Sequence, residues 1–237
     1  MPKILCIESS TEVCSVVIAE NDRVLALRED KSGLNHSKML TVFIDELMRE
    51  KKLDASDFAA VAVSQGPGSY TGLRIGVSAA KGFCFGAGIP LIAISSLQAM
   101  AQHVVAYSTQ NGFELSDNDV FVPMIDARRM EVYTASFSHK AETLSDVEAL
   151  IVDEHAFSEE LKNKRLFFFG NGAEKCKGVI EHPNAIFIDT IYTSAAHMAA
   201  LAKQKFNNND FVDLAYFEPF YLKNFIATTP KNSVLRM

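Results

Sequence analysis

One stretch limits what this chain can fold into more than any other: Ser64 to Lys81, SQGPGSYTGLRIGVSAAK. Residues 59–63 before it are small and β-branched apolar residues, with the length and composition of a buried strand. Gly66, Pro67, Gly68 and Gly72 then fall within seven residues, a density that no regular element tolerates, so a tight loop is expected. Thr71 is the expected N-cap of the helix that follows. In that helix Leu73, Val77 and Ala80 share one face, and Ile75, Ala79 and Phe83 another. Gly72, Gly76 and Ala80 recur at spacing four, so a second backbone could approach closely. Arg74, Ser78 and Lys81 make the only polar stripe, which predicts a helix covered on two sides. A strand, glycine loop and helix N-terminus in sequence can hold an anion, because free amides and the helix dipole point the same way. An unliganded tight turn has the same pattern, and both readings stay open here. A Walker A loop is excluded, since Leu73 and Arg74 follow Gly72.

Composition narrows the functional classes. The chain has 237 residues, 48% of them apolar, enough for one large core or two small ones. Its net charge of −6 and lack of a long basic run argue against tight nucleic-acid binding by this chain alone. Cys6, Cys14, Cys84 and Cys176 form no CxxC pair and read as buried small hydrophobes. Met-Pro-Lys leads directly into strand-like residues, and no apolar run reaches membrane-spanning length. A reduced, cytoplasmic protein without a secretory leader or a membrane contact is the expectation.

In chain order, strands are expected at residues 4–7, 14–19 and 23–27, with Asn21-Asp22 as a hairpin turn. A helix over residues 36–51 carries Leu40, Phe43, Ile44 and Leu47 on one face. The 59–63 strand, the glycine loop and its helix follow, and Gly88-Ile89-Pro90 ends that helix. A strand over 91–94 and a helix from Ser95 to about Tyr107 complete the first half, 1–107. The second half, 108–237, begins after a polar stretch. It has expected strands at 120–125, 131–137 and somewhere in 142–152, then a helix over 153–162 and a strand over 166–169. Gly170-Asn171-Gly172-Ala173 is a second glycine loop, and a helix should run from it to about Ile180. A strand at 185–188 and a helix over 193–206, capped by Thr193 or Ser194, come next. The tail from Tyr216, with Tyr221, Leu222 and Phe225, should dock, and disorder is expected from Thr228.

The order repeats. Each half starts with a strand ending in a carboxylate, Glu8 or Asp126, and each has its own strand–glycine loop–helix. The expectation is an α/β protein of two duplicated βββαβα-type subdomains facing across a cleft, the actin-like ATPase (ribonuclease H-like) fold. By that fold-level analogy Glu8, Ser10, Thr11, Asp126, Gly170 and Gly172 are candidate contacts to a nucleotide, ATP or ADP with magnesium, at the cleft or at a subunit junction.

The segments ILCIESST, QGPGSYTGLRIGVSAAKGF, MIDARRMEVYTASF, FFFGNGA and FEPFYLKNF carry a resemblance over nearly the whole chain. They resemble the TsaB family, also called YeaZ, an accessory subunit of the machinery that makes threonylcarbamoyladenosine in tRNA. Glu8 departs from the aspartate of that pattern and is similar to the catalytic paralogue. The resemblance implies an actin-like fold, a cytoplasmic location, and pairing with the catalytic paralogue TsaD. It also implies the ATPase TsaE in the same assembly, homodimers through the same helical face, and tRNA met only through the complex. In the paralogue the segment matching residues 94–100 carries two metal-binding histidines at i, i+4; here those positions are Ser96 and Met100, poor ligands for a hard divalent ion. No catalytic residue and no metal site is expected in this chain.

Glu8 and Asp126 could hold a metal-bound water, or could cap turns and pair with Arg128; the structural role is favoured. His36, His103, His139, His155, His182 and His197 show no metal spacing, so exposed or capping roles are expected for each. Ser69 and Thr71 read as loop hydroxyls, with no base positioned to activate them. Leu40, Phe43, Leu47, Tyr70, Leu73 and Val77 are the expected partner interface, and a charge at Val77 or Leu40 should abolish pairing without unfolding the chain. The competing readings are a self-sufficient nucleotide-hydrolysing enzyme of the same fold and a metallopeptidase, the latter opposed by Ser96 and Met100.

Overall fold

The computed structural model describes residues 1–33 and 35–223. The first half opens with a meander of β1 (Lys3–Glu8), β2 (Cys14–Glu20) and β3 (Arg23–Asp30). Then come α1 (His36–Lys51), β4 (Phe58–Gly66), α2 (Tyr70–Ala87), β5 (Leu91–Ser95) and α3 (Ser96–Gln110). The sheet order is β3-β2-β1-β4-β5, with β2 antiparallel to both neighbours and β1, β4 and β5 parallel. The near-continuous apolar strands β1 and β4 are buried because helices cover both faces of the sheet. Leu40, Phe43, Ile44 and Leu47 of α1 and Val77, Ala80 and Cys84 of α2 fill one side.

The second half contains β6 (Asp119–Asp126), β7 (Glu131–Thr134), β8 (Phe137–Ser138), β9 (Glu148–Ile151), α4 (Ser158–Leu161), β10 (Arg165–Phe169), β11 (Ala185–Phe187) and α5 (Ala199–Asn207). Its order, β9-β7-β6-β10-β11, repeats that of the first sheet strand for strand, with the same parallel and antiparallel senses. The duplicated architecture is the actin-like, ribonuclease H-like α/β fold.

The copy is incomplete. Where the first half has α1, the second has the single turn α4, so the expected helix over 153–162 does not form. Asp153 caps a turn at His155, and Phe157 sits at φ 62°, outside helical geometry. Where the first half has α2, the second has a 3-10 turn, Glu174–Cys176, followed by further single turns through Val179. The 131–137 strand is also split, into β7 and β8. The split faces Pro123 of β6, which brings no N–H to a ladder.

The expected 107/108 boundary falls inside α3, whose Leu97, Met100, Ala101 and Val104 pack on the second sheet. The chain also crosses back. A 3-10 turn, Ala195–Met198, and α5 cover the free face of the first sheet, and Val212 bridges to Leu91 at its edge. Ser194 caps this segment, in keeping with the sequence. The tail docks as far as it is described: the Phe220 amide donates to the Gln65 carbonyl at 2.7 Å and Lys81 Nζ to the Ala215 carbonyl at 3.1 Å. Phe225 and the residues from Thr228 lie outside the described residues. No helix among the described residues is long and apolar enough to cross a membrane.

Candidate functional site

The glycine loop is packed against its own chain. Ser69, not Thr71, caps α2: its Oγ accepts the Gly72 amide at 3.2 Å, and its own amide donates to the Ser10 carbonyl at 2.6 Å. A Cβ at Gly68 would lie 2.1 Å from the Ser10 carbonyl oxygen, at Gly72 2.2 Å from the Ser9 carbonyl oxygen, and at Gly76 2.1 Å from Ser9 Oγ. The second backbone that the small-residue spacing allows for is therefore the β1–β2 turn. The space a phosphate would need is filled by residues 9 and 10.

Glu8 lies beneath this contact, 1% exposed. Burial raises its pKa, opposed by the Ser10 amide at 2.6 Å and by hydrogen bonding from Ser64 and Ser9. Thr11 Oγ1 is 2.6 Å from Thr193 Oγ1, a contact that ties the two halves together. Asp126 is more open, but Lys175 is its ion-pair partner and its Oδ1 accepts the Arg128 amide at 3.2 Å. Arg128 thus contacts Asp126 through its backbone, not through the expected charge pair. Asn171 bridges the cleft: its Oδ1 accepts the Asp126 amide at 3.0 Å and its Nδ2 donates to Glu12 Oε2 at 2.7 Å. A Cβ at Gly170 would meet the Met124 carbonyl oxygen at 2.3 Å, and one at Gly172 the Ile125 carbonyl carbon at 2.9 Å, so both glycines serve close packing on β6. Glu8, Ser10 and Thr11 thus sit at one glycine loop and Asp126, Gly170 and Gly172 at the other; Glu8, Thr11 and Asp126 are engaged within the chain, while Ser10 Oγ is buried without a hydrogen-bond partner.

Ser96 and Met100 share one buried face of α3, both 1% exposed, with Met100 packed on the second sheet. No group of three or more His, Cys, Asp or Glu among the described residues could hold a metal ion. All four cysteines are free and buried. Sequence spacing missed one pairing. His103 of α3 and His197 stack with ring centroids 3.7 Å apart, and His197 Nδ1 is buried without a partner. Burial lowers the pKa of both, that of His197 to about 3, helped by His103 and Lys31.

A second place is open. A groove of about 640 Å³ runs between α1 and α2, lined by Leu40, Thr41, Tyr70, Arg74, Ile75 and Ala79 among others. Arg74 Nη1 donates to Tyr70 Oη at 3.0 Å, and the Tyr70 ring packs on Tyr221 of the tail at 4.8 Å. From Ser78 in the groove wall α2 continues outward with Gly82, Phe85 and Gly86, all four exposed, Phe85 by 83%. Nothing lies within 4 Å of a Cβ placed at Gly82 or Gly86. Of the six expected interface residues only Tyr70 is more than marginally exposed, and it is half-buried at the groove. Leu47 and Leu73 are fully buried, Leu40 is 1% exposed at the groove floor, and Val77 and Phe43 are 5% and 6% exposed. Those side chains belong to the chain's own core, and a charge at Leu40 or Val77 would unfold the protein rather than spare it. The small-residue surface lies one helical step round, at residues 78, 82 and 86.

A protein-family model described as "TsaD: tRNA N6-adenosine threonylcarbamoyltransferase" matches residues 30–231. The tRNA threonylcarbamoyladenosine biosynthesis protein TsaB of Haemophilus influenzae is 32% identical over 93% of each chain. That of Escherichia coli is 27% identical over 95% of this chain and 96% of its own. The tRNA N6-adenosine threonylcarbamoyltransferase of Streptococcus equi subsp. equi is 33% identical, over 47% of this chain and 37% of its own. A solved structure from Pseudomonas aeruginosa, titled as similar to peptidase YEAZ, superimposes with a TM-score of 0.79 at 24% identity, over 94% of this chain and all of that one. Length, identity and fold agree that the chain belongs to the TsaB family.

Proposed function

We propose that this chain is an accessory subunit of the machinery that installs threonylcarbamoyl on N6 of adenosine 37 in tRNA, and that it does not itself catalyse the transfer. It pairs with the catalytic paralogue TsaD through the α1–α2 face, and in isolation with a second copy of itself through the same face. The ATPase TsaE joins the assembly, which is cytoplasmic. The observation that carries this reading is the outer face of α2. It is a long helix with Gly82, Phe85 and Gly86 left uncovered by the chain's own core, beside a groove that the half-buried Ile75 and Ala79 help to line. Small residues let a partner helix approach closely, and an exposed phenylalanine beside them is an anchor without its pocket. The engagement of Glu8 by the Ser10 amide and of Asp126 by Lys175, and Ser96 and Met100 on α3, support a role without chemistry of its own.

The test is threonylcarbamoyl transfer to tRNA in a reconstituted mixture. The chain alone should be inert, and the mixture should need it. Transfer by the chain alone would sink the non-catalytic reading. A mixture that runs equally well without the chain would remove the accessory role.

A further inference from the structure

The hairpin between β6 and β7 is an unusual use of arginine. Arg128 and Arg129 stand at its tip with φ 75° and 51°, two successive side-chain-bearing residues in the left-handed region. The hairpin is closed below them, Ala127 N to the Glu131 carbonyl at 3.0 Å and Glu131 N to the Arg128 carbonyl at 3.1 Å. Glycine, asparagine or aspartate would fill such positions with less strain. Such strain persists only where the surrounding structure holds it, and two successive arginines held this way are an outlier from which a use can be inferred.

The charges around the tip sharpen the point. Asp126 on one side is taken by Lys175, Glu131 on the other by Lys223, and Glu12 across the cleft receives the Asn171 amide. The nearby acids are thus satisfied without either arginine. Both arginines are exposed, and among the described residues neither guanidinium has a hydrogen-bond or ion-pair partner. Lys223, paired with Glu131, brings the last described residue of the chain to this hairpin. A chain of net charge −6 therefore collects an uncompensated positive pair at one strained tip.

We propose that the Arg128–Arg129 tip is a phosphate contact for the RNA backbone. Guanidinium forks match phosphate oxygens, and the contact is sequence-independent. Two such contacts make weak binding. They fit an RNA held mainly by another subunit and touched here at its backbone, and this part of the proposal rests on the accessory reading above.

The test uses the full chain alone, with unmodified tRNA followed by fluorescence anisotropy across a salt series, so that it does not depend on pairing or transfer. The variant is Arg128→Gly with Arg129→Gly, which removes both guanidiniums and relieves the backbone. Its melting temperature should rise by about 2–4 °C. Its tRNA affinity at low salt should fall about tenfold or more. The slope of log affinity against log salt should flatten by about 1.5, since each lost phosphate contact carries roughly 0.7 to 0.9. Unchanged affinity and slope in the more stable variant would overturn the proposal, as would a wild-type chain that does not bind tRNA at low salt. A lowered melting temperature would show that the arginines are there to hold the hairpin. Loss of labelled-ATP binding in the double variant, with the tRNA slope unmoved, would assign the arginines to a free nucleotide and overturn the RNA reading.

Discussion

Gly82→Lys separates the uncovered face of α2 from its core face in one substitution. Gly82 is a helical glycine with open space where a side chain would go. Lysine is the better helix former by about 0.7 kcal/mol, which for a chain of this size is a rise of about 2 °C in melting temperature. In a helix–helix contact the same ammonium is stranded without a partner, at on the order of 3 kcal/mol, or roughly a hundredfold in dissociation constant. The expected result is a chain that melts slightly higher, runs as a monomer in sedimentation velocity, and fails to co-purify with the catalytic subunit. Transfer in the reconstituted mixture should fall with pairing and recover in part at high subunit concentration. A variant that is more stable and still pairs with wild-type affinity would refute the assignment of this face. One that unfolds would refute the geometry beneath it.

Gly76→Ala is the opposite case on the same helix: its Cβ would meet Ser9 Oγ at 2.1 Å, so a loss of about 1–3 kcal/mol by chemical denaturation is expected, with pairing per folded molecule unchanged. Glu8 has a folded pKa above its unfolded value, so its contribution is fully present below about 4.5 and is lost as pH rises through the folded pKa. Glu8→Gln should therefore gain most over wild type near neutral pH and lose that advantage by pH 5; a melting-temperature difference that does not change with pH would contradict this. His103 and His197 run the other way. Their folded pKa values lie below 6.5, so the stability they lend is present above that pH and drains as pH falls toward the folded values. His197→Phe, which keeps a ring on His103, should flatten the acid limb of a melting curve between pH 6.5 and 4.5, and an unaltered limb would exclude the pair as its source.

The first half was legible because periodicity and punctuation agree there. The reading of α1 over 36–51 and of Gly88 as the end of α2 needed no tertiary information. In the second half the apolar positions of 153–162 suggest a helix, but Asp153 and Phe157 turn the chain locally, and such turns compete with helix at little energetic difference. At the α1–α2 face, spacing reveals that a helix has two apolar sides but not which one its own sheet takes. Leu40, Leu47 and Leu73 suit an interface as well as a core by spacing alone, and only the fold sends them inward. The His103–His197 stack joins segments far apart in sequence, so no window of residues contains it. The carboxylates and glycine loops were found at their expected places, while their engagement by Ser10, Lys175 and the Ser9–Ser10 backbone is visible only in three dimensions.

The shrunken helices of the second half have a consequence for assembly. Two complete copies of the βββαβα unit would display two like helical faces, one at each end, and a subunit with two such faces can add neighbours without limit. Here the second end carries only a four-residue turn and a 3-10 turn over its sheet. On the pairing proposed above the molecule would have a valence of one: a partner on α2 would terminate the assembly there, and the duplicated fold would yield a closed pair rather than an open chain.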